Sequence, residues 1–273
     1  WARAAANAIS LNKLSSFTWV PVNKSGGAAA VGYNYMASKK GDEHTLLSLH
    51  SGALVSSYVA GWEKTFESYI DIICIMAFDD VTLCVKSDGK YQDIKSLIDA
   101  AKSNPGTVKF GSDQRQNSSH YAFEMMKEYA GADMNYVQYD SSGDAATALL
   151  GGHVDVAILN PSECIGQVKA GTFKPIATFA TERLSGLFKD APTFTESGYP
   201  DIVLREFRGL AGPVDMPEAA KKYYEGMGEK LLKTKEFASY IEQNNLTPTW
   251  MGLDKAYSVT EMSKIAEMFK NIK

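Results

Sequence analysis

The sequence predicts a two-lobed α/β protein, and three observations lead to this fold class. Short apolar segments alternate with amphipathic ones along most of the chain, which is typical of strands followed by helices in parallel sheets. The length of 273 residues suits two modest lobes or one large one. The alternation stops at Asn104-Pro105-Gly106 and resumes afterwards, which indicates a separate run of strands and helices on either side.

The first run provides most of lobe 1. Its predicted helices are amphipathic or rich in alanine, and its predicted strands are short and apolar. We expect helices at 1–16, Ala28–Ser38 and Tyr91–Ser103, and strands at Phe17–Val22, Thr45–Leu49, Ile70–Phe78 and Asp80–Val85. The alanine-rich start resembles the interior of a helix, so we also expect residues to precede Trp1 in the native protein.

The second run repeats the alternation and provides lobe 2. Apolar segments of strand length predict strands at Val108–Gly111, Asn135–Tyr139, Val154–Leu159, Ile176–Thr181 and Leu204–Ala211. Segments of helical spacing between them predict helices at Ser118–Ala130, Ala145–Gly151, Ser162–Ala170 and Thr193–Gly198. Because each helix separates two strands, we expect parallel neighbours in this lobe.

Helices after Pro213 are expected to return to lobe 1. The first is predicted at Asp215–Thr234, with Asp215 as its cap, and others at 235–244 and 254–272. Their return requires the chain to cross between lobes near 105–107 and again near 209–213. The predicted domains are therefore 1–106 plus 211–273 for lobe 1 and 107–210 for lobe 2. Two hinge crossings beside a cleft suit closure around a small ligand.

Composition and charge exclude several classes of function. The chain is 45% hydrophobic and 22% charged with a net charge of −4, so it lacks the basic footprint of a nucleic-acid-binding protein. Its four histidines show no spacing typical of metal ligands, and we expect neither a metal nor a cofactor. Cys74 and Cys84 lie in adjacent apolar segments and could be neighbours on paired strands or two small core side chains.

Polar loops that directly follow predicted strands are the candidate ligand site. Open α/β sheets bind ligands at such loops, and the N–H groups at a following helix start favour an anion. The candidate residues are Ser51, Gly52, Asn117, Ser118, Ser119 and Asn160, with Phe207 and Arg208 at the second crossing. Each has a structural alternative, since serines and asparagines also cap helices and an arginine also forms surface ion pairs.

The sequence contains no signature of covalent or phosphoryl-transfer chemistry. It lacks a Gly-x-Ser-x-Gly elbow, a dinucleotide-binding glycine pattern and a phosphate-loop lysine. The paired acids Asp79-Asp80 and Asp42-Glu43 read as solvated turn residues rather than as an acid–base pair. We therefore expect a protein that holds its ligand without transforming it.

An ordered series of short motifs identifies a family resemblance. Pro21-Val22-Asn23-Lys24, Asn104-Pro105-Gly106 and Arg208-Gly209 occur in order around the block Ala148-Leu149-Leu150-Gly151-Gly152-x-Val154-Asp155. Together they resemble the solute-binding proteins of tripartite tricarboxylate transporters, the TctC or Bug family. The resemblance covers nearly the whole chain, and no single piece of it is specific.

The resemblance implies a fold, a ligand class and partners. The fold is the type II-like periplasmic binding protein fold, whose first strand would precede Trp1. The expected function is capture of a small organic carboxylate and its delivery to a membrane permease, with the alternative of a ligand-sensing module for a signalling kinase. The expected location is the periplasm or the outer face of the cytoplasmic membrane, and we expect a monomer. In the family pattern Ser51, Ser118, Ser119 and Asn160 would line the pocket beside Phe207 and Arg208.

Overall fold

The computed structural model describes residues 1–27, 29–59, 62–113, 115 and 117–253. The helices are α1 (Ala2–Leu11), α2 (Ala30–Ala37), α3 (Ser51–Val59), α4 (Ile94–Ser103), α5 (Ser118–Ala130), α6 (Ser142–Leu150), α7 (Pro161–Lys169), α8 (Glu218–Leu232) and α9 (Lys235–Gln243). The strands are β1 (Leu47–His50), β2 (Ile70–Phe78), β3 (Thr82–Lys86), β4 (Lys109–Ser112), β5 (Asn135–Gln138), β6 (Val156–Leu159), β7 (Phe173–Thr178), β8 (Phe207–Pro213) and β9 (Thr247–Met251). The predicted helix at 254–272 lies outside the described residues.

Contacts divide the chain into two units. Unit 1 comprises Trp1–Phe78, Phe207–Gln243 and the described residues from Pro248 onward, and unit 2 comprises Asp79–Glu206 with Asn244–Thr247. The chain thus passes from one unit to the other between Phe78 and Asp79, whereas the sequence pattern placed this crossing near 105–107. The segment after Phe78 lies in unit 2 because β3 pairs with β6 and β7 there.

The sheet of unit 1 has the strand order β1-β8-β2-β9. Strand β8 runs antiparallel to both β1 and β2, so β1 and β2 run parallel to each other. They are the pair that the chain connects through α3, and such a crossover produces parallel strands. The strand that returns from unit 2 is inserted between them in the opposite direction.

The sheet of unit 2 repeats this arrangement with the order β5-β4-β6-β3-β7. Strand β4 is parallel to β5 and β6, as the prediction of parallel sheets requires. Strand β3, which enters from unit 1, lies antiparallel between β6 and β7. The prediction is therefore confirmed for β4, β5 and β6 and wrong for β3, which runs antiparallel to its neighbours although α4 connects it to β4. In unit 1 it is likewise wrong for β8, which returns from unit 2 without a crossover helix before it.

Two glycines in these sheets allow neighbouring parts of the chain to pack closely against their backbone. A Cβ atom on Gly209 in β8 would lie 2.0 Å from the carbonyl oxygen of Cys74 in β2. A Cβ on Gly111 in β4 would lie 2.9 Å from a methyl group of Val154. Strand β2 itself is almost continuously apolar and buried, which is typical of a strand covered on both faces.

Several predicted elements differ from the structure. The segment 17–22 forms no strand, and Phe17, Val20 and Val22 are exposed. The segment 193–198 forms turns rather than a helix, since Thr193 makes an isolated bridge to Thr178. Asp215 does not cap α8, because it adopts a left-handed φ of 63° three residues before Glu218. Helix α3 and strand β9 were not predicted.

No helix among the described residues combines the length and the hydropathy that a membrane crossing demands.

Candidate functional site

In unit 1 the structure brings Ser51, Phe207 and Arg208 together. Strand β1 ends at His50, and α3 begins directly at Ser51. The Ser51 hydroxyl accepts a hydrogen bond of 3.0 Å from the N–H of Phe207, the first residue of β8. Arg208 follows in register with His50. Ser51 and Phe207 are buried, and Arg208 is half-buried, so the Phe207 ring is a core side chain.

The start of α3 presents main-chain donors at this point. The first N–H groups of a helix lack intrahelical acceptors, so those around Ser51 and Gly52 favour an anion. Gly52, the second residue of α3, is buried and has no side chain. The bond from Phe207 uses only an acceptor position of the Ser51 hydroxyl, which keeps its proton for donation.

In unit 2 the residues Asn117, Ser118 and Ser119 form the start of α5, directly beyond β4. Asn117 is the N-cap: its Oδ1 accepts from the N–H of His120 at 3.0 Å, and its Nδ2 donates to Asp113 at 2.8 Å. The first intrahelical bond runs from the N–H of Tyr121 to the carbonyl of Asn117. The N–H groups of Ser118 and Ser119 precede that bond and belong to the donor-rich helix start.

Asn160 stands at the corresponding position after β6, which is the parallel neighbour of β4. It caps α7, and its N–H donates to the Glu163 carboxyl at 3.1 Å. Its side-chain Nδ2 donates to the carbonyl of Asp79 at 2.9 Å and to Glu206 Oε2 at 3.3 Å. The carboxyl ends of neighbouring parallel strands thus place Asn160 and the start of α5 at one sheet edge.

Glu206 connects these two helix starts and was not among the predicted site residues. Its side chain is buried, the Ser118 hydroxyl donates to Oε1, and Asn160 donates to Oε2. Its carbonyl accepts from the N–H of Asp79 at 2.7 Å. Two of the donors that the sequence analysis proposed for a ligand therefore bind a carboxyl group of the chain itself.

Ser119, by contrast, is half-buried, and its hydroxyl has no hydrogen-bond partner among the described residues.

Acidic groups surround this edge of unit 2. Partial loss of hydration raises the pKa of Glu163, and the negative charges of Glu206, Asp79 and Asp113 raise it further, against the hydrogen bond from the Asn160 N–H. The expectation that Asp79 and Asp80 are solvated turn residues is wrong, since they are 1% and 2% exposed. They are buried because the chain continues from β2 into β3 without a surface turn.

Asp80 forms a buried ion pair with Arg205. Arg205 Nε lies 2.7 Å from Asp80 Oδ1, and Arg205 Nη1 donates to the Thr181 hydroxyl at 2.8 Å. Burial raises the pKa of Asp80 to about 6, although the hydrogen bond and charge of Arg205 oppose the rise. The pair holds the segment before β8 against the start of β3.

Two further side chains of the 113–120 segment have structural contacts. Arg115 is exposed, and its guanidinium lies 4.7 Å above the Tyr136 ring. His120 Nε2 lies 3.3 Å from Glu124 Oε1, one turn further along α5. The described residues contain no group of three His, Cys, Asp or Glu side chains placed to hold a metal ion.

The arrangement offers helix-start N–H groups and hydroxyls, which can hold a polar or anionic ligand. Sequence reasoning singled out Asn117, Asn160 and the serines as candidates because strand ends and cap residues are visible in the sequence. It missed the role of Glu206, whose partners lie 88 and 46 residues away along the chain.

Comparison with known families gives a match over nearly the whole chain. The family model for the receptor of the tripartite tricarboxylate transporter family, TctC, matches residues 2–265. Among curated proteins, the chain is similar to the UPF0065 protein in the tcbD-tcbE intergenic region of Pseudomonas sp. (strain P51). The two are 23% identical over 252 residues, which cover 91% of this chain and 72% of that protein.

Solved structures share the fold. R. palustris Rpa4515 with adipate matches with a TM-score of 0.84 and 18% identity, covering 98% of this chain and 91% of that one. MatC (Rpa3494) from Rhodopseudomonas palustris with bound malate matches with a TM-score of 0.78 and 16% identity, covering 99% and 91%. At these identities the likeness shows the fold alone, which confirms the predicted α/β periplasmic binding protein class.

Proposed function

Because this chain belongs to the tripartite tricarboxylate transporter receptor family, we propose that it captures a small organic carboxylate and delivers it to a membrane permease. The family consists of non-enzymatic solute-binding receptors and is periplasmic. The match over residues 2–265 is the observation that carries the proposal. Relatives with the same fold bind adipate and malate, which are both small carboxylates.

The proposed binding residues are Ser51, Gly52, Asn117, Ser118, Ser119, Asn160, Phe207 and Arg208. Support for this set comes from the N–H groups at the starts of α3 and α5 and from the hydroxyl protons of Ser51 and Ser119. Such donors stabilise an anion without a change in their own protonation. Arg208 would add a charged fork, and Asn117 and Phe207 would position the donors through their own hydrogen bonds.

Location and assembly complete the proposal. The protein would act as a monomer in the periplasm or attached to the outer face of the cytoplasmic membrane, where a permease can receive its ligand. Binding stabilises the ligand-bound conformation only through contacts that are stronger in that conformation. The permease would therefore distinguish loaded from empty receptor by its conformation.

A thermal-shift screen over mono-, di- and tricarboxylates tests the ligand class. A ligand present at 100 times its Kd adds about 2.7 kcal/mol to the stability of the folded state, so a true ligand raises Tm by several degrees. We expect at least one carboxylate to do so, while uncharged amides and alcohols of the same size do not. A screen in which no carboxylate shifts Tm would contradict the proposed function.

A further inference from the structure

Glu206 occupies hydrogen-bond donors that a ligand carboxylate would otherwise use. The Ser118 hydroxyl donates to one of its oxygens and Asn160 Nδ2 to the other. Both oxygens of the Glu206 carboxyl group thus accept a hydrogen bond from a side chain of the predicted site. Glu206 is 3% exposed, so its carboxyl group is held inside this edge of unit 2 rather than in bulk water.

The surrounding charges oppose a second anion at the same place. Burial raises the pKa of Glu163, and the negative charges of Glu206, Asp79 and Asp113 raise it further, so these three carboxyl groups lie within electrostatic range of Glu163. A ligand carboxylate brought to Ser118 and Asn160 would meet occupied donors and like charges. Like-charge juxtaposition in a partly desolvated site is strongly unfavourable.

We infer that Glu206 is a specificity-determining residue, which makes the receptor prefer ligands with one carboxylate over dicarboxylates of the same length. The inference rests on the proposed function. In it, the single ligand carboxylate uses donors other than the Ser118 hydroxyl and Asn160 Nδ2, which are bound to Glu206. The opposite end of the ligand is uncharged or donates hydrogen bonds, as an amide or hydroxyl group does.

Matched ligand pairs and a charge-removing substitution test this inference. Calorimetry would compare each of succinate, glutarate and adipate with its monoamide, for the wild type and for Glu206→Gln. Glutamine keeps the size and an acceptor oxygen but removes the charge. The wild type should bind the better monoamide at least tenfold more tightly than its diacid, and Glu206→Gln should reduce that ratio at least tenfold. Glu182→Gln, which removes an exposed charge in the same unit, should leave the ratio unchanged.

The outcomes separate this inference from the proposed function. A wild type that prefers the diacids, or a ratio unaffected by Glu206→Gln in a variant with native circular dichroism, overturns the inference and leaves the receptor function standing. Failure of every carboxylate and monoamide to bind overturns both.

A second, independent observation concerns two buried cysteines of unit 2. Cys84 in β3 and Cys164 in α7 are both 0% exposed, and their sulfur atoms lie 3.8 Å apart. The pairing of Cys74 with Cys84 that the sequence left open is not found: all three are free thiols, and Cys74 lies in β2 of unit 1 against Gly228. A disulfide requires an S–S distance of about 2.05 Å, so the two sulfur atoms would have to approach each other from the observed 3.8 Å.

We propose that Cys84 and Cys164 form a disulfide in the native protein. Oxidation removes two electrons and two protons from the thiols and passes them to an external disulfide, which is reduced to two thiols. The hydrogen bond with Cys164 raises the pKa of the Cys84 thiol, and burial raises it further, so few thiolates form once the unit is folded. Exchange therefore takes place while the chain folds, in the oxidising compartment that the family implies. The bond would tie α7, which begins beside Asn160, to β3.

Oxidative refolding tests the disulfide directly. The protein is refolded from denaturant with oxidised and reduced glutathione, alkylated under denaturing non-reducing conditions, and analysed by peptide mass spectrometry. We expect one alkylated thiol, Cys74, and a linked peptide pair that contains Cys84 and Cys164. In reductant, the Tm of the refolded protein should fall by several degrees. The Tm of Cys74→Ser should fall by the same amount, whereas reductant should not change the Tm of Cys164→Ser.

Three alkylated cysteines in correctly refolded protein would overturn this proposal. So would a linked pair that includes Cys74. Neither result bears on ligand binding, because carboxylate affinity is measured separately.

Discussion

At Asp80, burial raises the pKa of the carboxyl group and the ion pair with Arg205 lowers it. Its side chain is fully buried, and burial raises its pKa from 3.8 to about 6 despite the ion pair with Arg205. The folded chain therefore retains a proton that the unfolded chain releases between these values. The ionised carboxyl therefore lowers the free energy of unfolding. This loss of stability is absent at low pH, grows as pH rises through this window, and is complete above about pH 6.

Removal of Arg205 should destabilise the protein in a pH-dependent manner. In Arg205→Met the pKa of Asp80 rises further because the opposing charge is lost, so the ionised form becomes more costly. We expect a loss of about 3 kcal/mol at about pH 7.5 and a clearly smaller loss at about pH 5, where Asp80 is largely protonated. Urea denaturation at both pH values measures this, with the double variant Asp80→Asn, Arg205→Met as control. A pH-independent loss would contradict the assigned cause.

Ser51 has a structural role that can be separated from ligand binding. Its hydroxyl accepts the N–H of buried Phe207, so Ser51→Ala leaves that donor without this acceptor. We expect a loss of about 1–3 kcal/mol in the free energy of unfolding. Chemical denaturation of ligand-free protein checks this value, and Ser51→Thr, which keeps a hydroxyl, should restore most of the loss. An unchanged midpoint for Ser51→Ala would show that the bond contributes nothing.

At the residue scale, local chemistry could be predicted and long-range pairing could not. Asn117 and Asn160 were singled out because a strand end followed by a cap residue is visible in a few neighbouring letters. Asp80 looked like a turn residue because its partner Arg205 is 125 positions away. Glu206 was overlooked as a site residue for the same reason, since nothing near it in sequence indicates the donors that it binds.

At the scale of elements, an inserted strand is the feature common to both units. Strands β1 and β2 run parallel in unit 1, β6 and β7 run parallel in unit 2, and β8 or β3 lies antiparallel between the two. The alternation of strands and helices predicts the parallel pairs. It does not predict the insertions, because an inserted strand differs from its neighbours in the route of the chain and not in its composition.

Gly209 in β8 is the position where the insertion is tightest. A Cβ there would lie 2.0 Å from a backbone oxygen of β2, and backbone cannot move aside as a flexible side chain can. We expect Gly209→Ala to cost more than about 3 kcal/mol in unfolding free energy. Gly166→Ala in α7 is the matched control, since nothing lies within 4 Å, and it should be neutral or stabilising by up to about 1 kcal/mol. Equal urea midpoints for the two variants would contradict this account.

Helix α3 shows why some elements escaped prediction. Its sequence, Ser-Gly-Ala-Leu-Val-Ser-Ser-Tyr-Val, is rich in residues with modest helix propensity. Burial of Leu54 and Val55 and the bond between Ser51 and Phe207 stabilise it instead. Tertiary contacts of this kind outweigh local propensity, and they are not visible along the chain.

At the scale of the whole molecule, the fold class and the family could be predicted from the sequence. The positions at which the chain passes from one unit to the other were harder to predict. The family match extends over residues 2–265, and the fold is that of periplasmic binding proteins. The crossing between Phe78 and Asp79 was obscured because β2 and β3 form one nearly continuous apolar run. Pro105 and Gly106 are a stronger local indication of a boundary between units, although in the structure they only follow the end of α4.

Isothermal titration calorimetry of wild type and Ser119→Ala, with the best carboxylate from the thermal-shift screen, tests the central claim most directly. The Ser119 hydroxyl has no hydrogen-bond partner among the described residues, so its removal should not affect folding. We expect one carboxylate bound per chain and intact after incubation. Ser119→Ala should bind it at least tenfold more weakly, about 1.4 kcal/mol, with an unchanged urea midpoint. Equal affinities for the two proteins, or conversion of the ligand, would contradict the account.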